Sequence, residues 1–203
     1  MTHIDNVARR PYRSDLRARQ ADSTRERILD ATVRVMAAGI ASISIPDVAR
    51  EAGVSIPTVY RHFGTKAELL AAVYPHLARR AGIAEVTAPG SIGEFRDLVR
   101  SLFDRLGSLD DLARAAMASP AASEARRITM PDRLALGRRS IEAIAPDLDV
   151  EERDRIARLM VIVTASASLR LWRDQFDASS EEVGDDVEWI LRALIAAARR
   201  DRR

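Results

Sequence analysis

The sequence predicts an all-α chain of about nine helices, and three observations predict it. Apolar residues recur at three- and four-residue spacing along most of the 203 residues. Pairs in which a Ser, Thr or Asp stands three residues ahead of an acid fall at the head of many of these runs, the pattern of a capping box. No stretch alternates apolar and polar residues between turn pairs, as a strand would.

The elements follow in order. Ser23 and Glu26 open a first helix carrying Ile28, Leu29, Val35, Met36 and Ile40, and Gly39 closes it because a residue without Cβ suits a left-handed cap. Ser44 and Asp47 open a short second helix over about Ile45 to Ala52, and Gly53 interrupts it. Ser55 caps a third, Ile56 to Phe63, where Pro57 falls in the first turn and no intrahelical amide partner is required. Thr65 and Glu68 start a fourth, with Pro75 inside it as a kink.

Ala81-Gly82 and Ala88-Pro89-Gly90 loosen the pattern and place a domain boundary between Arg80 and Ser91. Ser91 and Glu94 then begin a helix that ends at Gly107-Ser108, and a short helix runs to about Ser119. Ser119-Pro120 and Thr129-Met130-Pro131 read as two further starts. Asp149 and Glu152 begin a long segment with Ile156, Leu159, Met160, Val163 and Leu171 inward, and Ser179 and Glu182 begin the last, with Val183, Val187, Ile190, Leu191, Leu194 and Ile195 inward. The division expected is an arm over 1–20, a first domain over 21–81 and a second over 82–203.

Composition removes several function classes. Zero cysteines exclude disulfides, thiolate metal sites and a cysteine nucleophile. His62 and His76 are too isolated for a zinc motif, so no metal and no cofactor is expected. No run of about 18 apolar residues exists, and Met1 to Gln20 is polar and Arg-bearing, so a cytoplasmic address and no membrane are expected. The formal charge of +2 conceals a division. Residues 1–80 hold 13 Lys+Arg against 8 Asp+Glu, and the remainder holds 19 against 22, so a first domain at +5 is joined to a second at −3. A basic domain of that kind is expected to meet a polyanion, a solvated face being the alternative.

Residues 44–63 supply the device for doing so. Helix, Gly-containing turn, helix is the grammar of a helix-turn-helix, in which Val48, Ala49, Val54 and Val59 form the joint that aims the second helix into a major groove. Ile56, Pro57 and Thr58 then stand on its first turn. Methyl groups there meet thymine methyls, and the Thr58 hydroxyl bonds a base edge or phosphate. Tyr60 and His62 reach the flanking backbone. Ser44, Ser55 and Lys66 lie at helix starts, whose free amides attract phosphate oxygens.

At these positions the sequence resembles the tetracycline-repressor-like (TetR) family of bacterial transcriptional regulators. The resemblance rests on Ser44, Asp47-Val48-Ala49, Ala52-Gly53-Val54-Ser55, Tyr60-Arg61-His62-Phe63 and Lys66-Ala67-Glu68-Leu69, and covers about residues 21–81. Pro57 departs from it, since the family more often has Gly or another small residue there. It implies a homodimer on a near-palindromic operator of double-stranded DNA, released when the carboxy-terminal body holds a small molecule.

Within that body, Phe95, Leu102, Phe103 and Leu106 on one helix are expected to surround a small hydrophobic effector. Met117, Leu134, Met160, Val163 and Trp172 complete the set. Any one of them alone is more often ordinary core. Ile162, Ser166, Trp189, Ile190 and Leu194 are the expected dimer seam. Arg9, Arg10, Arg13, Arg17 and Arg19 make the first 20 residues either a minor-groove arm or a solvated tail. Two other readings compete: a body that only dimerises or binds protein, and an all-α enzyme. The acid pairs Asp110-Asp111 and Glu151-Glu152, which an enzyme would need, fall at helix starts where the dipole explains them.

Overall fold

The computed structural model describes residues 10–39, 42–83 and 86–200, with side chains from residue 18 onward. Among the described residues the fold is all helical. In chain order stand α1 (Arg10–Ala37), α2 (Ile45–Ala52), α3 (Ile56–Phe63), α4 (Lys66–Arg80), α5 (Ile92–Gly107), α6 (Asp111–Ala118), α7 (Pro120–Ile144), α8 (Val150–Val163), α9 (Ser166–Phe176) and α10 (Ser180–Arg200). The all-α class is borne out, with ten described helices against about nine expected. No helix of the described residues is long and apolar enough to cross a membrane.

Most starts are where the capping pairs place them. Ser44, Ser55, Thr65, Ser91, Asp110 and Asp149 each accept a hydrogen bond from the amide three residues on. Ser179 and Glu182 bond reciprocally, at 3.2 and 2.8 Å, which satisfies two amides at the head of α10.

Three expectations are corrected. The first helix begins at Arg10 rather than Ser23, because Leu, Arg, Ala and Gln before Ser23 propagate a helix well and the Thr24 hydroxyl donates back to the Gln20 carbonyl at 2.9 Å. Residues 1–9 of the expected arm, like Ile40, lie outside the described residues. Thr129-Met130-Pro131 is no start: α7 runs through Pro131, and the Thr129 hydroxyl bonds the Ala125 and Arg126 carbonyls of the preceding turn instead of capping a new one. The long segment after Asp149 divides into α8 and α9. There the Thr164 hydroxyl takes the Met160 carbonyl at 2.7 Å and the Ser168 hydroxyl takes that of Ile162 at 2.6 Å, competing with the helical bonds. Beyond the break Leu171 turns outward, at 54% exposure.

Two apolar cores result. The first gathers Ile28, Leu29 and Met36 of α1, Val48 of α2, Val59 and Phe63 of α3, and Leu69, Leu70, Val73 and Leu77 of α4. It does not stop at Arg80. Leu109, Ala113, Ala116 and Met117, with Ala121, Ala122 and Ala125 of α7, pack into it as well. The second core joins Phe95, Val99 and Phe103 of α5 to Val183, Val187, Leu191 and Ile195 of α10, with Ile141, Ile156, Met160 and Leu169 closing it. Leu106 touches both.

Candidate nucleic-acid interface

The helix-turn-helix is built from local chemistry. Ser44 Oγ accepts from the Asp47 amide at 3.2 Å and bonds the Asp47 carboxylate, which also takes Arg50 at 2.6 Å. These hydrogen bonds hold the Asp47 carboxyl below its ordinary range, Ser44 contributing more than Arg50. Gly53 closes α2 in the left-handed region, at φ 63° and ψ 38°, and the Val54 amide reaches the Ala49 carbonyl at 3.0 Å. A side chain at Gly53 would be strained by its backbone even though nothing crowds it. α3 then starts on Ser55, whose Oγ accepts from the Thr58 amide at 3.3 Å and lies 2.8 Å from the Thr58 hydroxyl.

Burial separates the two faces of α3. Val59 and Phe63 are buried in the first core, and Arg25 of α1 lies over the Phe63 ring at 4.7 Å. Ile56 and Tyr60 are exposed, at 41% and 46%, Pro57 is exposed and Thr58 is half-buried. An apolar surface of that size on a short helix has no partner within the described chain, and it sits where a recognition helix presents itself. Arg34 of α1 binds Glu51 of α2 at 2.6 Å and ties the pair to the scaffold. His62 is half-buried. Burial first, then the charges of Arg61 and Arg25, push its imidazole below the ordinary histidine value.

Lys66 is placed differently from its expected role. It begins α4, but its ammonium is held by Glu124 of α7 at 3.1 Å and lies 3.4 Å from the Ser42 hydroxyl. To meet a phosphate it must leave the carboxylate. No local signal announces Glu124, which is 58 positions away and arrives through tertiary packing. His76 is buried: its ring nitrogens lie 3.0 Å from Glu26 and 2.8 Å from Asp30, both on α1. Arg79 joins Glu26 at 3.1 Å, and Arg80 reaches Asp30 and Asp110.

These features together set a tethered α1–α4 scaffold beneath an exposed α3, and the comparisons with known proteins agree. Residues 28–73 match the profile described as bacterial regulatory proteins, tetR family. These residues carry a domain of the TetR type. Over 57 residues it is 44% identical to the HTH-type transcriptional regulator SrpR of Pseudomonas putida, covering 28% of this chain and 27% of that protein. Over 95 residues it is 33% identical to the HTH-type transcriptional regulator TtgR, also of Pseudomonas putida, covering 43% and 44%. The matches thus span less than half the length of these curated relatives. The fold reaches further. NalD, described as the secondary repressor of the MexAB-OprM multidrug efflux pump in Pseudomonas aeruginosa, aligns with TM-score 0.56 at 17% identity, over 86% of this chain and 96% of its own. A transcriptional regulator from Rhodococcus sp. Rha1 aligns with TM-score 0.53 at 22%, over 86% and 97%.

The body residues expected to line a pocket are mostly brought together, but as packing. Phe95, Phe103 and Met160 are buried in the second core, with Leu102, Leu106, Leu134, Val163 and Trp172 partly buried against it. Met117 is elsewhere, in the first core. A groove of ≈ 290 Å³ runs along α5 beneath residues 86–89, and of the nine only Leu102 borders it. Of the expected seam, Ile162 and Trp189 stand outward at 63% and 71% exposure, whereas Ile190 and Leu194 pack against the second core. The outward line of α10 is Trp189, Ala193 and Ala196, and α8 adds Leu159.

Proposed function

We propose that this TetR-family chain is a homodimeric repressor that binds a palindromic operator and leaves it when the body takes up a small, largely apolar ligand. The observation that carries the reading is the first turn of α3. Its apolar and hydroxyl side chains are outward and capped on a closed core, so Ser55, Ile56, Pro57, Thr58 and Tyr60 read the groove while Ser44, His62 and the head of α4 meet the backbone. One such helix makes a small contact. A two-fold copy doubles it, and the outward Leu159, Ile162 and Trp189 supply apolar surface for that pairing.

The ligand enters between the helices of the second core and acts through α4, where Pro75 weakens the helical ladder between the half that carries α3 and meets α7 through Lys66 and Tyr74 and the half that His76 and Arg79 tie to α1. Selection of genomic fragments by the purified protein, followed by footprinting at near-physiological salt, tests the reading. A protected inverted repeat is the expected result, and enrichment no better than random DNA would overturn it. Release of that repeat by apolar compounds tests the sensor half, with unchanged release in Pro75→Ala counting against α4 as its route.

A further inference from the structure

Where α4 meets α7, two arginines are brought under cover without an acid. Arg126 donates to the Tyr74 hydroxyl at 3.2 Å, the Met117 carbonyl at 3.1 Å and the Ser123 hydroxyl at 3.0 Å, all of them neutral acceptors. Arg133 lies two turns further along the same helix. It is half-buried, and among the described residues it has neither a hydrogen bond nor a carboxylate partner. Its burial, aggravated by Arg126, pulls its guanidinium below the ordinary arginine value. Other arginines of the body differ: Arg138 on the same helix holds Asp154 at 2.8 and 3.0 Å, and Arg199 holds Asp147 at 2.8 Å.

Two cations brought near each other repel, and a buried cation is costly unless it is paired. A second observation lies at the same place. Ser166 Oγ is shielded from solvent with no hydrogen-bond partner, beside the Tyr74 phenol from the opposite wall, the first turn of α9. Buried hydroxyls are nearly always satisfied, so this one has a donor to spare. The surroundings are apolar on both sides. Met117 belongs to the first core, Leu134 and Val163 to the edge of the second.

We propose that Arg126, Arg133, Tyr74 and Ser166 form a binding site for the carboxylate of an amphipathic small molecule, whose apolar remainder lies along the seam between the two cores. The guanidinium fork takes a carboxylate bidentately, and the Ser166 hydroxyl donates to a remaining lone pair, the Tyr74 proton being held by the Ala122 carbonyl at 3.5 Å. This rests on the ligand-responsive reading and narrows it from an apolar ligand to an organic acid. It also places the acid against α4. Arg126 leaves the Tyr74 hydroxyl to meet the carboxylate, and two residues along the same helix His76 grips α1.

The test compares octanoate with 1-octanol, benzoate with benzyl alcohol, and inorganic phosphate, using the full chain and reading both thermal unfolding and release of selected DNA. Octanoate or benzoate is expected to raise the melting temperature by about 2 °C or more where its neutral partner does not. Arg133→Met keeps the apolar stem, and is expected to melt higher than the wild type without ligand and to bind the acid about tenfold more weakly or worse. Arg138→Met, which loses a pair already made, keeps the wild-type response to acids. Equal shifts from an acid and its alcohol overturn the proposal, as does an undiminished response in Arg133→Met. So does a response to phosphate equal to that to octanoate, which would leave no part for an apolar remainder. If the alcohols release DNA and the acids do not, the sensor reading stands and the acid site falls; if nothing shifts the melting temperature, both fall.

Discussion

The head and the body of this chain use polar side chains in opposite ways. In the helix-turn-helix, each hydroxyl at a helix start is matched within three residues: Ser44 to Asp47, Ser55 to Thr58, Thr65 to Glu68. What is left outward there is apolar or weakly polar and belongs to a single short helix. In the body the groups without a match, Arg133 and Ser166, are turned away from solvent, and they come from two helices, α7 and α9. The difference teaches that a surface for a long polyanion is written in adjacent residues, whereas a site for a small molecule is written in residues that are distant in sequence. Each kind of ligand meets the kind of surface that exposes it.

The comparison can be broken first at its base. Phe63→Ala removes a ring from the first core and is expected to cost about 3–5 kcal/mol. Since α6 and the start of α7 share that core, chemical denaturation monitored by circular dichroism is expected to show these helices lost with the head. Unfolding of α1 to α4 alone would mean two independent units and remove the coupling between them. A smaller effect sharpens the reading side. Thr58→Ala is expected to lose roughly 1 kcal/mol of preference between the selected repeat and random DNA, measured by competition binding. Equal losses on both DNAs would reassign the hydroxyl to phosphate.

Glu124→Gln tests the link between regions. It frees Lys66 and is expected to steepen the salt dependence of DNA binding by about one phosphate, with little change in sequence preference. An unchanged slope would leave Lys66 off the DNA. The smallest effect concerns pH. The His62 imidazole titrates below its ordinary value in the folded chain, so its contribution to stability is complete above about pH 6.5 and declines as pH falls through the lowered value. His62→Gln is expected to flatten thermal stability between pH 7 and 5, and a curve parallel to the wild type would assign the acid-side loss to other groups.

Much of the fold and of the head could be read from the sequence, for a physical reason that also marks where reading stops. A capping box is decided within four residues, so α2, α3, α4, α5 and α10 begin where their Ser or Thr stands. Thr129 and Ser23 carry the same letters without starting a helix, because a hydroxyl can also bond back into an existing turn and the chain around it already favours helix. Leu171 shows a second limit: a two-residue break after Val163 rotates everything beyond it to another face. Lys66, His76 and Arg133 show a third. Their partners, or the absence of a partner, depend on which helices lie alongside, and no spacing along the chain encodes that.

The wall that α7 offers to the first core is made of Ala121, Ala122 and Ala125. Methyl groups give shallow relief, without the deep ridges and grooves that lock one helix to another at a fixed register. At 25 residues α7 is a rod about 37 Å long whose other end, at Ile141, is seated in the second core. A rod anchored firmly at one end, and held on its smooth wall at the other by the Glu124–Lys66 and Arg126–Tyr74 contacts, converts a small tilt into sliding once those contacts open. The head would then be carried sideways as an intact body, its reading surface unaltered and only its position changed.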